Sequence, residues 1–390
     1  MHTAMQSSFN FSTVPNLICQ TGACSQLGAI ITARFPQARR ILIVTDPGFL
    51  ATGLVRAPAT SLEQAGISVR IFSGVVADPP EAVVLQAAAD ARTQDTELII
   101  GMGGGSSMDV AKLIAVLVAS DQALSTMYGI DNVKGPRLPL VQIPTTAGTG
   151  SEVTPISIVT TGATTKIGVV SPTLYADLAI LDACLTTGLP AHVTAATGID
   201  AMVHAIEAYT TRHKKNPLSD ALARHALSLI AAHLRTACVD GTNLPARQAM
   251  LLGAMLAGQA FANAPCAAVH ALAYPVGGIF HVPHGLSNSL VLPHVLRFNA
   301  PQAYPLYAEL ADLIVHGVAG SMEARSTAMI GAMEQLAVEL GIATRLREVG
   351  IAENDLDRLA DAAMLQTRLL GNNPREVSRD DARAIYTAAL

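Results

Sequence analysis

The apolar positions of this chain follow two rhythms. In the first half, short unbroken apolar runs alternate with segments of helical period. Arg40-Ile-Leu-Ile-Val-Thr-Asp46 reads as a buried strand and Pro47 to Ala65 as a helix. Ile67 to Phe72 is a second strand and Pro80 to Thr93 a second helix; Leu98-Ile-Ile100 and Leu140-Val-Gln-Ile143 continue the series, with a helix over Ser106 to Ala119 between them. Strands separated by helices of this length need right-handed crossovers, which predicts a mostly parallel, doubly wound sheet. From about Pro190 the pattern changes to long Ala- and Leu-rich helical segments, such as Asp200 to Thr210, Leu218 to Ala237 and Ala246 to Asn263. The turn Thr187-Gly188-Leu189-Pro190 sets the boundary, giving an α/β domain over residues 1–188 and an all-helical domain over 189–390, with a cleft expected between them.

At 390 residues and half hydrophobic, the chain is long enough for two cores. Only 14% of residues are charged and the net charge is -5, so no broad basic face is available for nucleic acid. The N-terminal stretch lacks the basic start and apolar run of a secretory signal. The most apolar window, Leu113 to Ala119, is far too short for a membrane span. A cytoplasmic protein without a membrane partner is therefore expected. The five scattered cysteines, odd in number and without CxxC spacing, fit reduced thiols.

Candidate chemistry starts at Glu97-Leu-Ile-Ile-Gly-Met-Gly-Gly-Gly-Ser-Ser-Met-Asp109, where a strand runs into three glycines and then a helix. Glycines without Cβ let main-chain N–H groups converge, and a helix N-terminus favours an anion such as a pyrophosphate. Gly103, Gly104, Gly105 and Ser106 are the candidates, although the GxGxxG fingerprint itself is absent. A second loop, Ile143-Pro-Thr-Thr-Ala-Gly-Thr-Gly-Ser-Glu152, carries hydroxyls suited to ribose or phosphate oxygens or simply to solvent. Asp46, at the end of the first strand, could accept hydrogen bonds from an adenosine ribose and repel a 2′-phosphate, favouring NAD over NADP. It is equally placed to cap the following helix.

The histidines segregate: only His2 precedes the boundary and ten follow it. Asp200 and His204 are four apart on a predicted helix and share a face. His270-Ala-Leu-Ala-Tyr-Pro-Val-Gly-Gly-Ile-Phe-His-Val-Pro-His284 adds further imidazoles on a segment expected to break at Pro275, Gly277, Gly278 and Pro283, which would fold two histidines back onto one point. A carboxylate with two or three imidazoles suits a catalytic Fe(II) or Zn(II). Singly, Asp200 also reads as a helix cap and His204 and His270 as core histidines, with His281 a further potential ligand.

Taken together, Gly103-Gly-Gly-Ser-Ser-Met-Asp109, Pro144-Thr-Thr-Ala-Gly-Thr-Gly-Ser-Glu152, Ala196-Thr-Gly-Ile-Asp-Ala-Met-Val-His-Ala-Ile-Glu207 and Pro283-His-Gly-Leu-Ser-Asn288 resemble the iron-containing, group III alcohol dehydrogenases over nearly the whole chain. Leu292-Pro-His-Val295 and Asn373-Pro-Arg375 look similar to that family too. The resemblance implies a Rossmann-like NAD-binding domain followed by a helical metal domain, the dehydroquinate synthase-like architecture, and a homodimer is expected. It implies that Asp200, His204, His270 and His284 ligate Fe2+, with Zn2+ as the alternative, and that the substrate is a small alcohol or its aldehyde or ketone. It also implies cofactor contacts at Asp46, Asp78, Gly104, Gly105, Ser106, Thr145, Thr146, Thr149 and Lys166, and a pocket near Ile156, Phe261 and Asn263.

One departure stands out. Many family members have a second histidine four residues beyond the third ligand, thought to relay the alcohol proton, and this chain has Tyr274 there. Tyr274 is thus a candidate relay or a packing residue. The alternative activities are a hydroxyacid–oxoacid transhydrogenase or 4-hydroxybutyrate dehydrogenase, a dehydroquinate synthase-like lyase, and an NAD-binding protein without turnover. The lyase would need a Lys and Arg cluster for a phosphate-bearing substrate, and the sequence offers none.

Overall fold

The computed structural model describes residues 8–162 and 165–390. They divide into two compact units, one comprising Thr13–Leu189 with Thr242–Leu252, the other Pro190–Gly241 with Gly253–Leu390 and the described part of Met1–Ser12.

The first unit is built on nine strands: β1 (Leu17–Cys19), β2 (Arg40–Val44), β3 (Ser68–Phe72), β4 (Leu98–Gly103), β5 (Gly129–Ile130), β6 (Leu140–Pro144), β7 (Ile156–Thr161), β8 (Thr165–Val170) and β9 (Leu178–Leu181). Its helices are α1 (Leu27–Arg34), α2 (Pro47–Ala51), α3 (Arg56–Gln64), α4 (Glu81–Thr93) and α5 (Gly105–Ala119). Six strands form an all-parallel sheet in the order β1-β9-β6-β4-β2-β3. Such a sheet is covered on both faces, so its central strands read as unbroken apolar runs. Ile41, Ile43, Leu98, Ile100, Val141, Ile143, Leu178 and Ile180 share one core with Leu27, Ile31 and Leu62. Leu42, Val44, Ile99 and Leu140 are buried as well.

The chain leaves β2 for β3 on one side and returns to β4 on the other. The carboxyl ends of β2 and β4 therefore flank the topological switch point, where open α/β sheets bind their ligands. Asp46 follows the first of these strands and Gly103 ends the second.

Three features differ from the pattern-based expectation. The helix expected over Pro47 to Ala65 is two helices, α2 and α3, parted by a turn through Gly53, whose φ of 74° is one that glycine adopts without strain. The strand pair β7–β8 is antiparallel in a small sheet with β5, and its mixture of Thr, Ser, Lys and Gly with apolar residues lacks the unbroken apolar run by which the parallel strands are read. The glycine-rich helix starts at Gly105.

The second unit is all-helical. Its principal helices are α6 (Ala191–Thr210), α7 (Pro217–Val239), the part of α8 (Leu244–Asn263) from Gly253 onward, α9 (Ala268–Phe280), α10 (His284–Ile314) and α11 (Met322–Glu339), followed by α12 (Leu356–Met364), α13 (Thr367–Leu370) and α14 (Arg379–Ala389). The helix α6 packs on α7 and α10, and α10 on α9 and α11. No single helix among the described residues is long and apolar enough to cross a membrane.

Candidate active site

In the helical unit, α6 carries Asp200, His204 and Glu207 at i, i+4 and i+7, on one face of a helix whose second half is buried throughout. His270 lies in the first turn of α9 and His284 opens α10. The chain reverses between these helices at His281, whose φ of 55° places it in the left-handed region. The break is thus confined to His281–Pro283. Pro275, Gly277 and Gly278, expected to interrupt the segment, lie inside a continuous helix. A buried helix tolerates the one hydrogen bond that proline removes because tertiary packing supplies the compensation. His281 is exposed and stands outside the cluster.

Gly285 brings α10 home. A Cβ there would lie 2.5 Å from the Ala196 carbonyl oxygen and 3.3 Å from the Thr197 nitrogen, so only glycine lets the turn after His284 press onto the α6 backbone.

Asp200, His204, His270 and His284 each place a ligand atom within 4.8 Å of the others. His270 Nε2 is 3.0 Å from His204 Nε2 and 3.9 Å from Asp200 Oδ1, while His284 Nε2 is 3.7 Å from that same oxygen. Donors bonded at about 2.0–2.2 Å to one ion have spacings of this order. Two imidazole nitrogens facing one another beside a carboxylate call for a cation, so the donor set fits a single divalent ion. Burial alone would raise the pKa of Asp200, but the three imidazoles and Asn288 hold it below the usual carboxylate value. The Asp200 side chain is 1% exposed and that of His284 31%, which makes His284 the open side of the cluster.

Glu207 orders the imidazoles from behind. Its carboxylate accepts from His270 Nδ1 at 2.7 Å, from Val269 N at 2.7 Å and from Ala267 N at 3.0 Å. It therefore caps α9, which lacks a side-chain cap of its own, and turns Nε2 of His270 toward Asp200 and His204. Asn288 donates to Asp200 Oδ1 at 2.6 Å, and Phe261 stacks on His204 with ring centroids 4.3 Å apart. Neither Glu207 nor Asn288 stands out when the motifs are read as ligand lists. The signal for Glu207 was its helical register with Asp200 and His204.

Tyr274 is edge-on to His270 at 6.5 Å and tilted against His284 at 5.9 Å, so it flanks the open side. Asn263 is committed elsewhere: its amide donates to Ser12 O at 2.9 Å and accepts from Ser12 N at 2.8 Å.

In the α/β unit, Gly104 is the N-cap of α5, and neither it, Gly103 nor Gly105 has a positive φ. What favours glycine at Gly103 and Gly105 is close approach. A Cβ on Gly105 would lie 2.9 Å from Thr149 Cγ2 and one on Gly103 2.5 Å from Ser107 Oγ, whereas one on Gly104 would meet Thr146 Oγ1 at an ordinary contact distance of 3.6 Å. The two candidate cofactor loops thus pack on each other at the end of β4, with Thr145 N bonded to Gly103 O at 2.9 Å. Asp46 caps α2, its Oδ1 accepting from Phe49 N at 2.9 Å, and its other oxygen faces Gly103. Asp78 and Lys166 meet each other in an ion pair of 2.7 Å, with Asp78 at φ 51°.

A buried carboxylate with three imidazoles on the helices, and a glycine-rich turn at the parallel sheet's switch point, are the parts that an enzyme using a metal ion and a dinucleotide requires. Residues 15–183 match the iron-containing alcohol dehydrogenases, and residues 194–390 match the C-terminal part of the Fe-containing alcohol dehydrogenase family. Long-chain-alcohol dehydrogenase 1 of Geobacillus thermodenitrificans is 41% identical over 357 residues, covering 90% of each chain. Among solved structures, a 1,3-propanediol oxidoreductase superposes with a TM-score of 0.94 at 35% identity, covering 98% of this chain and 100% of the other. The sulfoacetaldehyde reductase of Bifidobacterium kashiwanohense, solved in complex with NAD+, gives 0.86 at 29% identity and covers 98% of both chains. The chain belongs to the iron-containing alcohol dehydrogenase family, and its activity is that of an alcohol dehydrogenase.

Proposed function

We propose that this chain interconverts a short alcohol and its aldehyde or ketone with NAD, using a divalent ion held by Asp200, His204, His270 and His284. The observation that carries this reading is the convergence of those four side chains. The ion, which we read as Fe(II), would supply Lewis acidity that favours the deprotonated alcohol at neutral pH, and NAD would supply the hydride acceptor. The protein's part is orientation. Glu207 and Asn288 hold His270 and Asp200 in their ligating poses. Phe261 covers the His204 ring and keeps that side apolar. Backbone N–H groups at the start of α5 offer the pyrophosphate an anion site, with Thr145, Thr146 and Thr149 supplying hydroxyls alongside. We read Asp78 and Lys166 as a preformed pair at the edge of the cofactor site. Five free thiols fit a cytoplasmic protein, and a homodimer is the assembly we expect.

The test is metal analysis followed by an NADH-absorbance screen across primary alcohols, diols and hydroxyacids. Metal at one ion per chain with NADH formed from an alcohol or diol is the expected result. Turnover restricted to a hydroxyacid–oxoacid pair without free NADH would replace it with the transhydrogenase.

Asp46 separates cofactor choice from helix capping. Asp46→Gly removes a charge that repels a 2′-phosphate, so the ratio of NADP to NAD efficiency should rise by about ten- to a hundredfold. An unchanged ratio accompanied by a lower melting temperature would leave Asp46 as a cap alone.

Tyr274→Phe should keep turnover within a few-fold, because phenylalanine retains the ring that packs on His270 and His284. A positioned proton relay would instead lose about a hundredfold. Such a loss, with metal content constant and rescue by added base, would make the phenol the relay.

A further inference from the structure

A charged pair inside α5 plays no part in the reading above. The Lys112 side chain is fully buried, and its Nζ donates to Ile156 O at 2.6 Å and Ser151 Oγ at 2.7 Å, and lies 3.3 Å from Thr154 Oγ1 and 3.4 Å from Asp109 Oδ1. Asp109 in turn accepts from Ser151 Oγ at 2.6 Å and from Ile158 N at 2.9 Å. The buried Glu152 adds a second carboxyl nearby, and burial pushes its pKa to about 7. Burial also draws the Lys112 pKa below the usual lysine value, with Asp109 opposing.

Desolvating an ammonium is so costly that a well-packed apolar side chain of similar length is often at least as stabilising. Stability alone therefore gives no reason for a lysine here. The direction of its bonds does. Apart from Asp109, every partner lies on residues 151–156, at the far end of the loop whose near end packs on the glycine turn. The linkage is continuous: Lys112 holds Ser151 Oγ, Ser151 N donates to Thr149 Oγ1 at 3.3 Å, and Thr149 stands against Gly105. The helix that begins at the glycine turn thus reaches across through its own third turn and fixes the loop that faces that turn.

We infer that Lys112 is a positioning residue for the cofactor, clamping the loop of residues 145–154 against Gly104 and Gly105 so that both present one surface to the dinucleotide. This rests on the reading of those loops as the NAD site.

The experiment is a fluorescence titration of the metal-loaded protein with NADH, comparing wild type with Lys112→Met, together with metal content, kcat and KM for NAD. Methionine keeps most of the length and volume and removes the donors. The Kd for NADH and the KM for NAD should rise at least about tenfold, while kcat at saturating NAD stays within a few-fold and metal content is unchanged. A lowered unfolding midpoint with unchanged NADH affinity would overturn the inference and leave Lys112 as a structural residue. Should Lys112→Met not fold, Ser151→Ala decides. It breaks the middle link while Lys112 keeps Ile156 O, and NADH affinity should fall several-fold; unchanged affinity would overturn the inference equally. Wild-type protein that fails to bind NADH is a separate outcome, which refutes the cofactor reading of the loops.

Discussion

His270→Ala should reduce alcohol oxidation by about a thousandfold or more, since Lewis-acid stabilisation of developing charge is worth several kcal/mol. Bound metal should fall below one ion per chain. His270 is the hub of the candidate centre, with Nε2 3.0 Å from His204 Nε2 and Nδ1 2.7 Å from Glu207. Removing the ring deletes a proposed ligand and frees the carboxylate that oriented it. The fold should persist, because Ala267 N and Val269 N still bond Glu207 and the helices around it are unaltered. Circular dichroism and elemental analysis on one preparation check both halves. Full metal occupancy in the variant would remove His270 from the ligand set.

The second large effect is expected at Glu207. Glu207→Ala leaves the His270 Nδ1 proton and two backbone N–H groups without their buried acceptor. Stability should drop by about 2–4 kcal/mol, the scale of several charge-assisted bonds lost together. Metal affinity should weaken by about ten- to a hundredfold, as when an outer carboxylate partner of a ligating histidine is removed. The two consequences separate the residue's two roles. Competition against a chromophoric chelator measures the second, and a denaturant melt the first. Loss of stability with unchanged metal affinity would mean that Glu207 is only the cap of α9.

These residues also show where the amino-acid sequence was informative. Strands buried on both faces declared themselves, because β2, β4 and β6 are nearly unbroken apolar runs. The strand β1, three partly exposed residues, and the β7–β8 pair, diluted with Thr, Ser and Lys, carried no such signal. Asp200 and His204 could be paired from helical spacing alone. That His270 and His284 join them depends on α9 and α10 packing beside α6, which no local pattern encodes. Of the breaks expected at Pro275, Gly277, Gly278 and Pro283, only the last is real, and the chain reverses just before it at the left-handed His281. Gly285 is a similar case, since its need for glycine lies in the backbone of Ala196 and Thr197 across the bundle. Lys112 reads locally as a polar interruption in an apolar helix, and only the loop packed against α5 gives its ammonium partners.

The most direct test of the central claim is NADH formation from a short primary alcohol by protein stripped with a chelator and then titrated with Fe(II) under anaerobic conditions. Stripped protein should be inactive yet folded, and activity should climb linearly to a plateau at one ion per chain, with Zn(II) as the comparison. Stripped protein that turns over alcohol at the full rate, with no metal detectable, would contradict the account.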